Sequence, residues 1–74
     1  MPAPAVLILG GTGEARDLAA RLLAAGVPAV SSLAGRVRDP ALPAGEVRIG
    51  GFGGAAGLAD YLHGHRIRAV VDAT

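Results

Sequence analysis

Apolar positions along the chain fall into two groupings, short unbroken runs and stripes spaced at three and four. The first run, Ala5-Val6-Leu7-Ile8-Leu9, has no alternation and predicts a central parallel strand covered on both faces. The first stripe, Ala15, Leu18, Ala19 and Leu22, predicts an amphipathic helix from about Glu14 to Ala25. Asp17 and Arg21 stand at i,i+4 on its outer face in the favourable order. Gly26 followed by Pro28 is a stop signal. A second strand is expected over about Val27 to Leu33, ending in Ser31-Ser32. From Ala34 to Gly45 two prolines and no apolar period argue against a helix, and so long an irregular connection is often functional. A short third strand, about Glu46 to Ile49, runs into Gly50-Gly51-Phe52-Gly53-Gly54. A second helix follows from about Ala55 to His63, with Leu58 and Leu62 inward, Tyr61 beside them and Gly64 as its cap. A fourth strand spans Ile67 to Val71 and leads into Asp72-Ala73-Thr74.

The order β-α-β-loop-β-α-β describes one mononucleotide-binding half of a doubly wound α/β fold, a Rossmann-like three-layer fragment. Right-handed crossovers give a parallel sheet in the order 3-2-1-4 with helices on its faces. Residues 1–74 form one dinucleotide-binding domain in this reading. The apolar fourth strand expects a neighbour on its open edge, so the chain is expected to be part of a larger protein whose second lobe is absent here.

The most informative junction is the first strand's passage into Gly10-Gly11-Thr12-Gly13-Glu14-Ala15. Glycines let the backbone approach a pyrophosphate, and the helix N-terminus offers free N–H groups and partial positive charge to it. The turn lacks the third glycine of the strict G-x-G-x-x-G pattern, and Ala15 and Ala19 fill that packing role with little bulk. Thr12 offers a hydroxyl and an amide to the pyrophosphate. Glu14 either complements the helix dipole or touches a ribose or amide. Arg16 reads as a solvated surface residue.

An NAD-binding half carries an acid about twenty residues beyond this turn, for the ribose 2′-hydroxyl. Here Ser31-Ser32 occupy that strand tip, with Arg36 and Arg38 just beyond. Without the acid a 2′-phosphate is not repelled, and Ser32 and Arg36 supply donors to it. A hydrogen bond to a charged group contributes about 1.5–3 kcal/mol, hence roughly ten- to hundredfold preference for NADP over NAD. The second glycine cluster leaves a bare backbone around Phe52, so Gly51, Phe52 and Gly53 are expected to meet the cofactor. Phe52 either packs on the adenine or nicotinamide half or plugs the loop into the core. Asp72, at the tip of the fourth strand, either faces the ligand crevice or caps the next element.

Composition narrows the field further. The formal net charge is +1, which excludes a nucleic-acid footprint built from bulk charge. All seven basic residues are arginines, either a compositional bias or planar forks suited to phosphate. Phe52 and Tyr61 are the sole aromatics, so the core is aliphatic. No cysteine is present, which excludes disulfides and thiolate metal sites. His63-Gly64-His65 reads as dipole complement at a helix end, so no metal is expected. The opening apolar run has no basic leader and is too short for a signal peptide or membrane span, so a cytoplasmic protein is expected. A chain of this size buries only about 60–65% of its unfolded surface.

Taken in order, these motifs resemble the N-terminal part of the precorrin-6A reductases of cobalamin biosynthesis. The resemblance is carried by Leu7-Ile8-Leu9-Gly10-Gly11-Thr12-Gly13-Glu14-Ala15-Arg16, by Ser32-Leu33-Ala34-Gly35-Arg36, by Val47-Arg48-Ile49-Gly50-Gly51-Phe52-Gly53-Gly54, and by Val70-Val71-Asp72-Ala73-Thr74. It implies a cytoplasmic, NADPH-dependent enzyme that reduces a macrocyclic double bond of a tetrapyrrole, precorrin-6A, giving precorrin-6B. It implies two Rossmann-like lobes with the tetrapyrrole between them, most of the protein lying beyond the final D-A-T. In this reading the pyrophosphate lies on Gly11 to Glu14, with Gly10 also counted among the cofactor-binding residues, the 2′-phosphate near Ser32 and Arg36, and the nicotinamide toward Gly51 to Gly53. Asp72 and Thr74 approach the substrate. No nucleophile–base pair is visible, and the catalytic residues stay unassigned. The alternative is a non-catalytic NAD(P)-sensing regulatory domain of the same architecture.

Overall fold

The computed structural model describes residues 4–35 and 42–74, so Arg36 and Arg38 lie outside the described residues. Six elements follow one another: β1 (Val6–Leu9), α1 (Gly13–Ala24), β2 (Ala29–Leu33), β3 (Glu46–Ile49), α2 (Gly54–Gly64) and β4 (Ala69–Asp72). All strand pairs are parallel, and the sheet order is β3-β2-β1-β4. The expected architecture and strand order are therefore present.

The core follows from the unbroken apolar run. Leu7 and Ile8 are consecutive, so they point to opposite faces of β1, yet both are fully buried. Val30, registered beside Leu7 on β2, is fully buried as well. Ile8 packs with Ala15 and Ala19 of α1, flanked by Val6, Leu18, Leu22 and Ala29. Small alanines at these two positions let the helix settle close to the sheet. On α2 no side chain is fully buried; Leu58, Tyr61 and Leu62 are half-buried. β4 is an edge strand with Val70 44% exposed.

Element ends differ from the sequence pattern for identifiable reasons. β2 starts at Ala29 rather than Val27, because Val27 N donates to the Leu22 carbonyl at 2.9 Å and Gly26 N to Leu23 at 3.1 Å. Those two bonds, with Gly26 at φ 74°, form a Schellman motif that holds Val27 at the helix end. β4 starts at Ala69 rather than Ile67 for the same reason, since Ile67 N donates to the Leu62 carbonyl at 2.9 Å. Gly64 does not cap α2. It is the last helical residue, and Arg66 takes the left-handed position at φ 54°.

Candidate functional site

Parallel pairing brings every β-strand's C-terminal end to one side of the molecule. Residues Gly10–Gly13, Gly50–Gly53 and Asp72–Thr74 therefore share that edge, with the Ser32 tip of β2 between the first two. The strand order also fixes sidedness. The loop after β3 lies on the β2 flank of the first glycine turn, and Asp72 lies on the β4 flank.

At the first turn, Gly11 has φ 117° and nothing within 4 Å of where a Cβ would stand. Gly10 is the close-approach glycine: a Cβ there would sit 3.3 Å from the Ala15 Cβ and 3.6 Å from Leu33 Cδ2. Thr12 is the N-cap of α1, its hydroxyl oxygen accepting from Ala15 N at 3.1 Å. The same hydroxyl donates to the Ala73 carbonyl at 2.7 Å, tying the turn to the end of β4. The hydroxyl expected to face a pyrophosphate thus serves the fold, and what Thr12 has left to offer is its amide. Among the described residues, the amides of Gly11, Thr12, Gly13 and Glu14 donate to no protein group. Glu14 is exposed in the first turn, where its charge complements the dipole.

On the β2 flank, Ser32 is registered with Leu9 and with Arg48, so the three side chains share the sheet face opposite α1. Ser32 is buried, and its oxygen accepts from Arg48 Nη1 at 2.9 Å. Arg48 also donates to the Gly50 and Gly51 carbonyls, both at 3.1 Å. Its guanidinium lies 3.9 Å from the centre of the Phe52 ring and 5.1 Å from that of Tyr61. Phe52 and Tyr61 meet edge to face with centroids 5.2 Å apart. Phe52 is thus held between Arg48 and α2. Burial raises the Tyr61 phenol above its ordinary pKa, partly offset by the Arg48 charge. Gly50 N donates to the Leu33 carbonyl at 2.8 Å and fastens the loop to the tip of β2.

On the β4 flank, Asp72 is fully exposed and accepts from the Thr74 hydroxyl at 2.7 Å and the Thr74 amide at 3.3 Å. These bonds hold its carboxyl below the ordinary aspartate value. Asp72 and Thr74 are therefore partners, an Asx-type turn at the strand end.

The structure brings Ser32 together with Gly50, Gly51 and Phe52, and Gly10–Gly13 together with Ala73. It separates Gly51–Gly53 from Asp72 and Thr74 by the width of β2 and β1. Ser32 and the Gly51–Gly53 loop therefore share one flank of the first glycine turn, with Asp72 and Thr74 on the other. Two residues escaped the sequence pattern. Arg48 was visible only as a charge between Val47 and Ile49 in a strand. Gly57 was visible only as a glycine inside a helix, and there a Cβ would collide with the Phe52 carbonyl. Among the described residues, no three His, Asp or Glu side chains cluster as metal ligands, and no helix is long and apolar enough to cross a membrane.

Comparison with known proteins agrees with this architecture. The family model of the precorrin-6x reductases CbiJ/CobK matches residues 5–74. A precorrin-6A reductase of Rhodococcus erythropolis is 70% identical over 70 residues, covering 93% of this chain and 28% of that protein. One of Mycobacterium tuberculosis is 64% identical over 69 residues, again covering 93% and 28%. A solved CobK precorrin-6A reductase superposes with a TM-score of 0.86 at 51% identity, over 93% of this chain and 28% of the other. The chain thus spans a little over a quarter of the length of the relatives it matches. Sequence, fold and family model agree, and the chain belongs to the precorrin-6x reductase family, CbiJ/CobK.

Proposed function

We propose that this chain is the NADP(H)-binding part of a cytoplasmic NADPH-dependent reductase that converts the tetrapyrrole precorrin-6A to precorrin-6B in cobalamin biosynthesis. The observation that carries the reading is the open turn at Gly11. Its positive φ, the empty space at its missing Cβ and four unpartnered amides at the start of α1 make a cradle that a diphosphate fits. The turn also lies at the point where the chain's crossovers part to the two sides of β1, the place where such sheets bind ligands.

The residues divide the work by position. Gly10 lets α1 and the tip of β2 close up beneath the turn, and Gly11, Thr12, Gly13 and Glu14 give main-chain N–H groups to the diphosphate. Ser32, with Arg36 beyond it, takes the 2′-phosphate, and Gly51, Phe52 and Gly53 flank the adenosine half. The nicotinamide then runs toward β4, where Asp72 and Thr74 face the macrocycle. When bound, the reduced nicotinamide supplies the hydride. The chain's task is to hold it at a fixed distance and angle, so that binding energy replaces the entropy of an encounter.

Fluorescence titration of the full-length protein with NADPH and with NADH tests the reading, followed by turnover of precorrin-6A. Binding of NADPH roughly ten- to hundredfold tighter than NADH is expected. Arg36→Glu should weaken NADPH far more than NADH. Equal loss for both removes the 2′-phosphate assignment, and failure to bind either removes the cofactor assignment.

A further inference from the structure

Arg48 joins three parts of the β2 flank at once: the Ser32 hydroxyl, the Gly50 and Gly51 carbonyls, and the Phe52 ring. In a trans peptide the C=O and the following N–H point in opposite directions. With the Gly50 and Gly51 carbonyls drawn onto the guanidinium, the amides of Gly51 and Phe52 are turned away from it. Neither amide donates to another described group. Glycine accepts either sign of φ, so peptides flanked by Gly50, Gly51 and Gly53 have little of their own to stop them from flipping. A flip would set a carbonyl where an N–H had been. Ser32 is oriented by the same contact: its oxygen accepts from Arg48, which leaves its proton free to be given elsewhere.

We infer that Arg48 is a positioning residue for the cofactor, holding the Gly50–Gly53 loop and the Ser32 hydroxyl with their donors presented to the adenosine half. The inference rests on the cofactor reading above. The planar fork does this work, and positive charge alone does not. A lysine supplies three donors on a flexible stem and cannot bridge two carbonyls and a hydroxyl while placing a planar cation over Phe52.

The test uses full-length protein with Arg48→Lys and Arg48→Gln, NADPH titration, steady-state kinetics, and hydrogen exchange at Gly51 and Phe52. Both variants are expected to bind NADPH roughly tenfold or more weakly. The loss should fall on KM for the cofactor rather than on kcat. With NADPH bound, exchange at Gly51 and Phe52 should be faster in the variants than in the bound wild type, with β1 unchanged. Recovery of wild-type affinity by Arg48→Lys overturns the inference, since charge would then suffice. So does an unchanged affinity in both variants. Arg48→Gln decides the matter if the lysine variant does not fold, because it keeps a planar amide without the fork. A wild-type protein that binds no NADPH sinks the cofactor reading itself, which is a separate result.

Discussion

Single residues set the shape of this site through what they lack as much as through what they carry. Gly57 shows this most sharply. Replacing an interior helical glycine with alanine ordinarily gains about 1 kcal/mol. Here the added methyl runs into the Phe52 carbonyl, so the loop or the helix must shift. Gly57→Ala is expected to destabilise by about 1–3 kcal/mol, the cost of overpacking; urea unfolding that shows a gain would remove the argument. At the β4 tip the Asp72 carboxyl is held below its ordinary value by Thr74. A depressed folded-state pKa means the turn is fully formed above the unfolded aspartate value and is lost as pH falls through the lowered one. An NMR titration should therefore show the Thr74 amide moving with Asp72 in acid, and Thr74→Val should raise the Asp72 pKa.

At the scale of elements, helix ends decide where strands can begin. Both helices close with a Schellman motif, and each motif delays the strand that follows. In α1 the left-handed residue is Gly26, which bears that backbone at no steric cost. In α2 it is Arg66, and a side chain in that region costs about 1–2 kcal/mol. Arg66→Gly is accordingly expected to stabilise the protein by about 1 kcal/mol, read as a rise in melting temperature. Thr12 works on the same scale: one hydroxyl caps α1 and ties it to the segment after β4. In the sequence Thr12 is read only as a pyrophosphate donor; the cap and the tie to Ala73 come from the structure, the latter joining residues 61 positions apart along the chain.

For the whole molecule, the open side of the sheet is the governing feature. β4 pairs only with β1, and its outward backbone groups and the 44% exposed Val70 face no described partner. An apolar, unpaired strand edge is a template for another strand. The 74-residue chain in isolation is expected to self-associate with rising concentration, and Val70→Lys should suppress this in sedimentation velocity. A chain that stays monomeric without the substitution would show the edge to be inert.

The layers, the strand order and the glycine turn between β1 and α1 were readable from the order of residues. Each of these follows from local signals: an unbroken apolar run, a stripe at helical spacing, glycines between strand and helix, and the fixed hand of crossovers. Tertiary structure alone decided which tips are neighbours. It set Ser32 against Arg48, turned the Thr12 hydroxyl inward to Ala73, and put the Gly51–Gly53 loop on the β2 flank of the first glycine turn rather than beside Asp72. The physical reason is range. Hydrophobic period and turn chemistry act over a few residues, whereas register and side-chain pairing across a parallel sheet join positions that the chain keeps far apart.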